Sequence, residues 1–176
     1  MKGGRFSAAS RSRTGILKKN MDAQKRSETM NNPKELLGEI LVRRGKVTTA
    51  QLNEALARQG KERKLIGEIF VAMGVLEEVD IVAALVLQCG VPYIAVNKYA
   101  IAPQIITLVP ESLAREFTVL PFDKIDHTLN VVMADPLKQE AVQKLAQATG
   151  MRIAVFVATK TEIETAINRY FGARAR

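Results

Sequence analysis

A chain of 176 residues, 47% of them hydrophobic, can form one compact domain or two small ones with a joint core. No uninterrupted apolar run approaches the roughly 20 residues of a membrane span, no apolar signal core lies in the first 30 residues, and a single cysteine, Cys89, excludes a disulfide framework and fits a reducing cytoplasm. The net charge of +8 is concentrated at one end: residues 1–33 carry eight Lys/Arg against Asp22 and Glu28, and the rest is nearly neutral.

Residues 1–32 are rich in Gly, Ser and Arg and poor in aliphatic side chains. Such composition buries too little surface to offset ordering entropy, so a disordered basic tail is expected. Its charge allows weak nucleic-acid or anionic-lipid association by counterion release, but the aromatic interleaving of a nucleic-acid platform is missing. Pro33, Lys34 and Glu35 suit a first helical turn. The apolar phase Leu37, Ile40, Leu41 carries that helix to Arg44, where Gly45 ends it. Thr48 followed by Gln51 has capping-box form and opens a second helix to about Gln59.

The same plan then recurs. Leu36 to Gln59 reads LLGEILVRRGKVTTAQLNEALARQ and Leu65 to Gln88 reads LIGEIFVAMGVLEEVDIVAALVLQ, 29 residues apart, with Leu, Gly, Glu, Ile, Val, Gly, Ala, Leu and Gln in common. The second copy predicts a helix to Met73, a stop at Gly74, and a more apolar helix from Glu78 to Cys89, stopped by Gly90. Cys89, at this apolar helix end, reads as a small core residue. Duplication of a helix–Gly–helix unit implies a shared buried face and a shared surface.

Beyond Gly90 the periodicity changes. Pro92 to Val96 reads as extended, Pro103 to Leu108 as a short helix, and Pro110 opens a helix over Glu111 to Phe117. Thr118 to Phe122 and Leu129 to Ala134 read as strands joined by a turn through Asp126 and His127. Asp135 and Pro136 read as the start of a helix over Leu137 to Thr149, followed by a strand over Met151 to Val157 and a helix from Thr159 to Gly172. The expected fold class is α+β: a tandem helical repeat (33–90) packed on a small α/β subdomain (91–172) of three or four strands with helices on one face, and short tails at 1–32 and 173–176.

Catalysis is not expected. The chain has no GxxxxGK[ST], no GxGxxG after a strand, and no Cys/His/Asp/Glu cluster with metal-ligand spacing. His127, the only histidine, falls in a turn with nothing nearby to orient it. The repeated features point to binding instead. Gly38 and Gly67 lie inside helices, where glycine costs about 1 kcal/mol relative to alanine; a helix crossing or a flat ligand would account for both. Gln59 and Gln88 end equivalent helices and are suited to capping or to bonding a base edge or phosphate.

The tandem pattern (L/I)Gxx(L/F)xxxGxxxxxx(L/I)xxxLxxQ with its five-residue spacer, Gly60 to Lys64, resembles the MshEN-type domain found at the N-terminus of type II secretion and type IV pilus assembly ATPases. Gly90-Val91-Pro92-Tyr93, Leu108-Val109-Pro110-Glu111, Val119-Leu120-Pro121, Val132-Met133-Ala134-Asp135-Pro136 and the stretch from Ala158 to Tyr170 extend the likeness over about 34–172. The resemblance implies a stand-alone cytoplasmic domain without the ATPase module. It also implies binding of cyclic di-GMP, no other cofactor and no metal, with coupling to a protein of a secretion, pilus or signalling system. Carried over by position, the apolar contacts are Leu37, Leu41, Leu52 and Leu56 in the first copy and Ile66, Phe70, Ile81 and Leu85 in the second; Gly38 and Gly67 admit the ligand, and Gln59 and Gln88 bond it. The family motif commonly begins with arginine. Here those positions are Leu36 and Leu65, which offer no planar cation; Arg63 is the expected substitute, with Lys64, Arg44 and Arg58 as further nearby cations. The alternative reading is an adaptor that has lost the nucleotide and docks on a protein partner.

Overall fold

The computed structural model describes residues 35–172; the tails expected at 1–32 and 173–176, together with Pro33 and Lys34, lie outside the described residues. Four helices make the tandem unit: α1 (Leu37–Arg43), α2 (Thr49–Glu62), α3 (Ile66–Ala72) and α4 (Glu78–Cys89). Their ends follow from local chemistry. The Thr48 and Gln51 side chains cap reciprocally, the Gln51 N–H donating to Thr48 Oγ1 at 3.2 Å and the Thr48 N–H to Gln51 Oε1 at 2.8 Å. Helices α1 and α3 keep half of that device: the Leu36 N–H donates to Glu39 Oε2 at 3.0 Å, and the Leu65 N–H to Glu68 Oε2 at 3.2 Å. Gly45 and Gly74 leave the short helices with φ of 66° and 68°, the left-handed conformation that glycine adopts without a Cβ penalty.

Two boundaries differ from expectation: α1 starts at Leu37 after an extended Leu36, so Glu35 precedes the helix instead of forming its first turn, and α2 ends later than expected. Helix α2 does not stop near Gln59 but continues through Gly60 to Glu62, and Arg63 makes the left-handed turn at φ 52°. Gly60 keeps a helical conformation because the helix formers Lys61 and Glu62 follow it.

Helix α1 packs on α4 and α2 on α3, so each copy closes against the other. Their core holds Ile40, Leu41, Ala55, Ile69, Phe70, Val82 and Leu85. A second core holds the α/β elements: a 3-10 turn at Val96–Lys98, α5 (Pro103–Ile106), α6 (Glu111–Phe117), β1 (Val119–Ile125), β2 (Thr128–Met133), α7 (Gln139–Thr149), β3 (Arg152–Val157) and α8 (Lys160–Gly172). The sheet order is β1-β2-β3, with β1 antiparallel and β3 parallel to the central β2. The expected extended segment at 92–96 contributes only an isolated bridge from Tyr93 to Val157, leaving three strands among the described residues.

Two further corrections concern this half. Helix α7 starts at Gln139 rather than Leu137, because the Asp135 carboxylate accepts the Leu137 N–H at 3.1 Å in a turn that precedes the helix. The sheet is covered on both faces, not one: Leu129, Asn130, Val131, Val132 and Met133 alternate in direction along β2, and all are buried. Asn130 is the exception to polarity matching, and nothing in the structure explains its unpartnered amide. The architecture is α+β. Its halves meet at Val157, the last residue of β3, which is buried in the helical core.

Candidate functional site

A cavity of about 790 Å³ lies where the helical repeats meet the ends of β2 and β3. That is within the range of small-molecule sites. The repeats supply Leu37 and Gly38 from α1, Leu52 and Leu56 from α2, Ile66 and Gly67 from α3, and Ile81 and Leu85 from α4. Gln59 and Gln88 line it too. Leu36 and Leu65, the residues before α1 and α3, and Leu56 on α2 are exposed leucines on the same lining.

Leu41 and Phe70 do not line the cavity. They are 1% and 0% exposed and belong to the helical core, one helical turn beyond the residues that do. Arg63 is also absent from the lining, since its backbone makes the α2 exit turn and its side chain is exposed; the adjacent Lys64 takes that place.

The opposite wall comes from residues with no counterpart in the repeats: Ala134, Asp135 and Leu137 after β2, and Ala158, Thr159, Lys160 and Glu164 after β3. The signal that could have found them is the strand–helix–strand order of β2, α7 and β3, since ligands gather outside the carboxyl ends of such strands once they pair in parallel.

Each in-helix glycine is a crossing point as well as a wall. A Cβ added at Gly38 would lie 2.5 Å from Leu52 Cδ1, and one at Gly67 would lie 2.8 Å from Ile81 Cγ2, so each glycine seats an apolar side chain from the second helix of its own repeat. The glutamines join the repeats to each other. Gln59 Nε2 donates to the Lys64 carbonyl at 3.1 Å, and Gln88 Nε2 to the Glu35 carbonyl at 3.0 Å. Residues 59 and 88 are equivalent, as are 64 and 35: the end of each repeat ties down the entry to the other. Gln88 Oε1 is left buried and without a partner.

Charge around the cavity is lopsided. Glu39, Glu68, Glu78, Asp135 and Glu164 face Lys64 and Lys160. Both lysines are already engaged: Lys160 Nζ lies 2.5 Å from Glu68 Oε1 and 3.9 Å from Glu164 Oε1, and Lys64 Nζ lies 2.9 Å from Glu62 Oε2. The Glu78 carboxylate accepts the Thr161 N–H at 3.1 Å and its hydroxyl at 2.9 Å, a second tie between the halves. Cys89 is no nucleophile. Burial, with a smaller push from Asp135, raises its thiol to about 11, so it stays protonated at neutral pH. Among the described residues no group of three or more His, Cys, Asp or Glu is placed to hold a metal, and no helix is long and apolar enough to cross a membrane.

The Glu68–Lys160 pair gives a pH prediction. Burial pushes the Glu68 carboxyl up, but the Lys160 hydrogen bond, the Leu65 N–H and the charges of Lys160 and Lys64 outweigh it and hold the group below its ordinary 4.5. A depressed carboxyl pKa stabilises the fold above the unfolded value, and the gain is lost as pH falls through the folded one. Glu68→Gln is therefore expected to lower the Tm at pH 7, and its deficit against the parent is expected to shrink below pH 4.5. Paired thermal melts across that window check the sign.

The MshEN domain family matches residues 89–176, which is half of the chain. The type IV pilus assembly ATPase PilB of Myxococcus xanthus is 36% identical over 138 residues, covering 78% of this chain and 24% of that protein, so the chain spans about a quarter of its relative's length. Among solved structures, MshE with cdg is 26% identical with a TM-score of 0.70 over 78% of this chain and 99% of that one. The N-terminal domain of XpsE, 19% identical with a TM-score of 0.67 over 80% and 97%, shares the fold. The matched half, the tandem motif and the shared architecture agree, and the chain belongs to the MshEN domain family.

Proposed function

We propose that the cavity binds cyclic di-GMP, and that the chain passes its occupancy to a protein of a secretion, pilus or signalling system without catalysis of its own. The observation that carries this reading is the pairing of motif-equivalent residues around one cavity: Gly38 with Gly67, Leu52 with Ile81, Leu56 with Leu85, Gln59 with Gln88. A wall built of two equivalent halves suits a ligand with two equivalent nucleotides, and aliphatic side chains suit the faces of guanine. The buried, unpartnered Gln88 Oε1 suits a purine N–H donor, because a buried acceptor left unpaired costs about 1–3 kcal/mol. The MshE structure with cdg, similar along most of this chain, supports the same reading.

A second reading, a nucleotide-free adaptor that docks a protein partner, is favoured by the exposed Leu36 and Leu65 and by the five carboxylates beside two engaged lysines. Calorimetric titration separates the two. The receptor reading expects heat with cyclic di-GMP, none with GTP or cyclic AMP, and tighter binding by Leu36→Arg with Leu65→Arg, since a charged hydrogen bond contributes about 1.5–3 kcal/mol. Absence of heat at high-micromolar concentrations in both proteins leaves the adaptor.

A further inference from the structure

We infer that Lys160 is the phosphate-binding cation of the cavity, and that Glu68, which holds its ammonium, competes with the ligand phosphate for it. The inference rests on the cyclic di-GMP reading and adds to it a cation that lies in neither repeat.

The first ground is which lysine faces inward. Lys64 and Lys160 both line the cavity, but Lys64 Nζ pairs with Glu62, which is not part of the lining. Both carboxylates near Lys160 Nζ, those of Glu68 and Glu164, are lining groups. The Lys160 ammonium is therefore held against the cavity, and that of Lys64 is drawn off it. A cyclic dinucleotide carries a negative charge on each phosphate, and five carboxylates line the same wall. An inward-held ammonium is the group that offsets their repulsion.

The second ground is how the lysine is mounted. Its backbone is fixed on both sides. Thr159 and Glu162 cap the start of α8 reciprocally, the Thr159 N–H donating to Glu162 Oε2 at 3.1 Å and the Glu162 N–H to Thr159 Oγ1 at 3.2 Å. Thr161 is bonded to Glu78. The Lys160 side chain itself is 44% exposed, and its flexible four-carbon stem lets Nζ turn from carboxylate to phosphate while the backbone stays in place.

The third ground is that Glu68 keeps its two tasks on different oxygens. Oε2 accepts the Leu65 N–H at 3.2 Å and Oε1 accepts Lys160, so the lysine can leave without uncapping α3. Ion pairs this exposed add little net stability, so a phosphate can displace the carboxylate at small cost. The equivalent carboxylate, Glu39, also lines the cavity and accepts the Leu36 N–H in the same way, but it forms no ion pair among the described residues. It matches Glu68 in position and cap and lacks the lysine, which makes it the control.

The test is calorimetric titration of the full chain with cyclic di-GMP, with thermal melts alongside. Lys160→Gln is expected to bind about tenfold more weakly, because a charged hydrogen bond to phosphate is lost, and Lys160→Arg to keep most of the parent's affinity. Glu68→Gln, whose amide oxygen still accepts the Leu65 N–H, is expected to bind about three- to fivefold more tightly, the range that an exposed ion pair allows. Glu39→Gln is expected to gain less. A pair that only joined the two halves would shift affinity in the same direction whichever partner was removed. Opposite shifts from Lys160→Gln and Glu68→Gln, with the Tm lowered in both, are the expected signature. Unchanged affinity in Lys160→Gln, an affinity in Lys160→Arg as low as in Lys160→Gln, or no gain in Glu68→Gln overturns the inference, while binding by the parent leaves the proposed function standing. Equal gains in Glu39→Gln and Glu68→Gln also overturn it, since repulsion by the wall then accounts for both. Binding by none of these proteins overturns the proposed function, and the inference with it.

Discussion

Phe70→Ala is expected to cost about 3–5 kcal/mol of stability, a large part of the roughly 5–15 kcal/mol that holds a domain of this size. Phe70 is completely buried beside Leu41 and Ile69 in the helical core, and the short helix α3 cannot move inward far enough to close the space its ring would leave. Because Phe70 is not on the cavity wall, the fraction that remains folded should keep its affinity for cyclic di-GMP. Leu56→Ala is the converse. Leu56 is half exposed on the wall, so its truncation should change stability by less than about 1 kcal/mol while weakening the ligand. Urea unfolding and calorimetry on the two variants separate core from wall. Loss of affinity without loss of stability in Phe70→Ala would show that its ring meets the ligand.

The equivalent glycines should respond differently to the same methyl group. At Gly67 the added carbon would press on Ile81 Cγ2 at 2.8 Å, a branch fixed to Cβ whose rotamer is stiff in a helix. Gly67→Ala is therefore expected to lose about 1–3 kcal/mol to overpacking, only partly offset by about 1 kcal/mol of helix propensity. At Gly38 the nearest atom is the free end of Leu52, which has room to turn away. Gly38→Ala should keep or gain stability, but the displaced Leu52 side chain enters the cavity and lowers affinity. Thermal melts and titrations of both variants test the asymmetry; equal destabilisation would mean that the two crossings are alike after all.

Most of the helical half was legible in the sequence because its signals are local. Gly45 and Gly74 need a left-handed turn, Thr48 and Gln51 need each other, and helix, stop and helix recur in register. The end of α2 was not legible, because Gly60 can stop a helix or pass through one, and the choice lay with Arg63. Position along a motif likewise says which residues are apolar without saying which apolar residues are deep. Leu37 and Leu41 fit the same stripe and the same core, yet only Leu37 also reaches the cavity wall. The second wall was hidden for a different reason. Asp135, Thr159 and Lys160 reach the cavity through the parallel pairing of β2 with β3 and the packing of that unit on the repeats, contacts between residues far apart in the chain.

The exchange made by Gln59 and Gln88 bears on how such a unit can arise. Each repeat receives at its entry what it gives at its exit, and α1 on α4 mirrors α2 on α3, which is the self-complementary geometry of an isologous contact. A peptide carrying one repeat would find its repeat-to-repeat contacts on a second molecule of itself, though not those that Val157, Lys160 and Thr161 supply from the α/β half. The two repeats are in this sense a homodimer written on one strand of polypeptide, with residues 60–64 as the fusion. Covalent linkage replaces a concentration-dependent association with an intramolecular one. It also releases the halves from identity, so that Leu52 and Ile81, bound by symmetry in a true dimer to be the same residue, are free to differ.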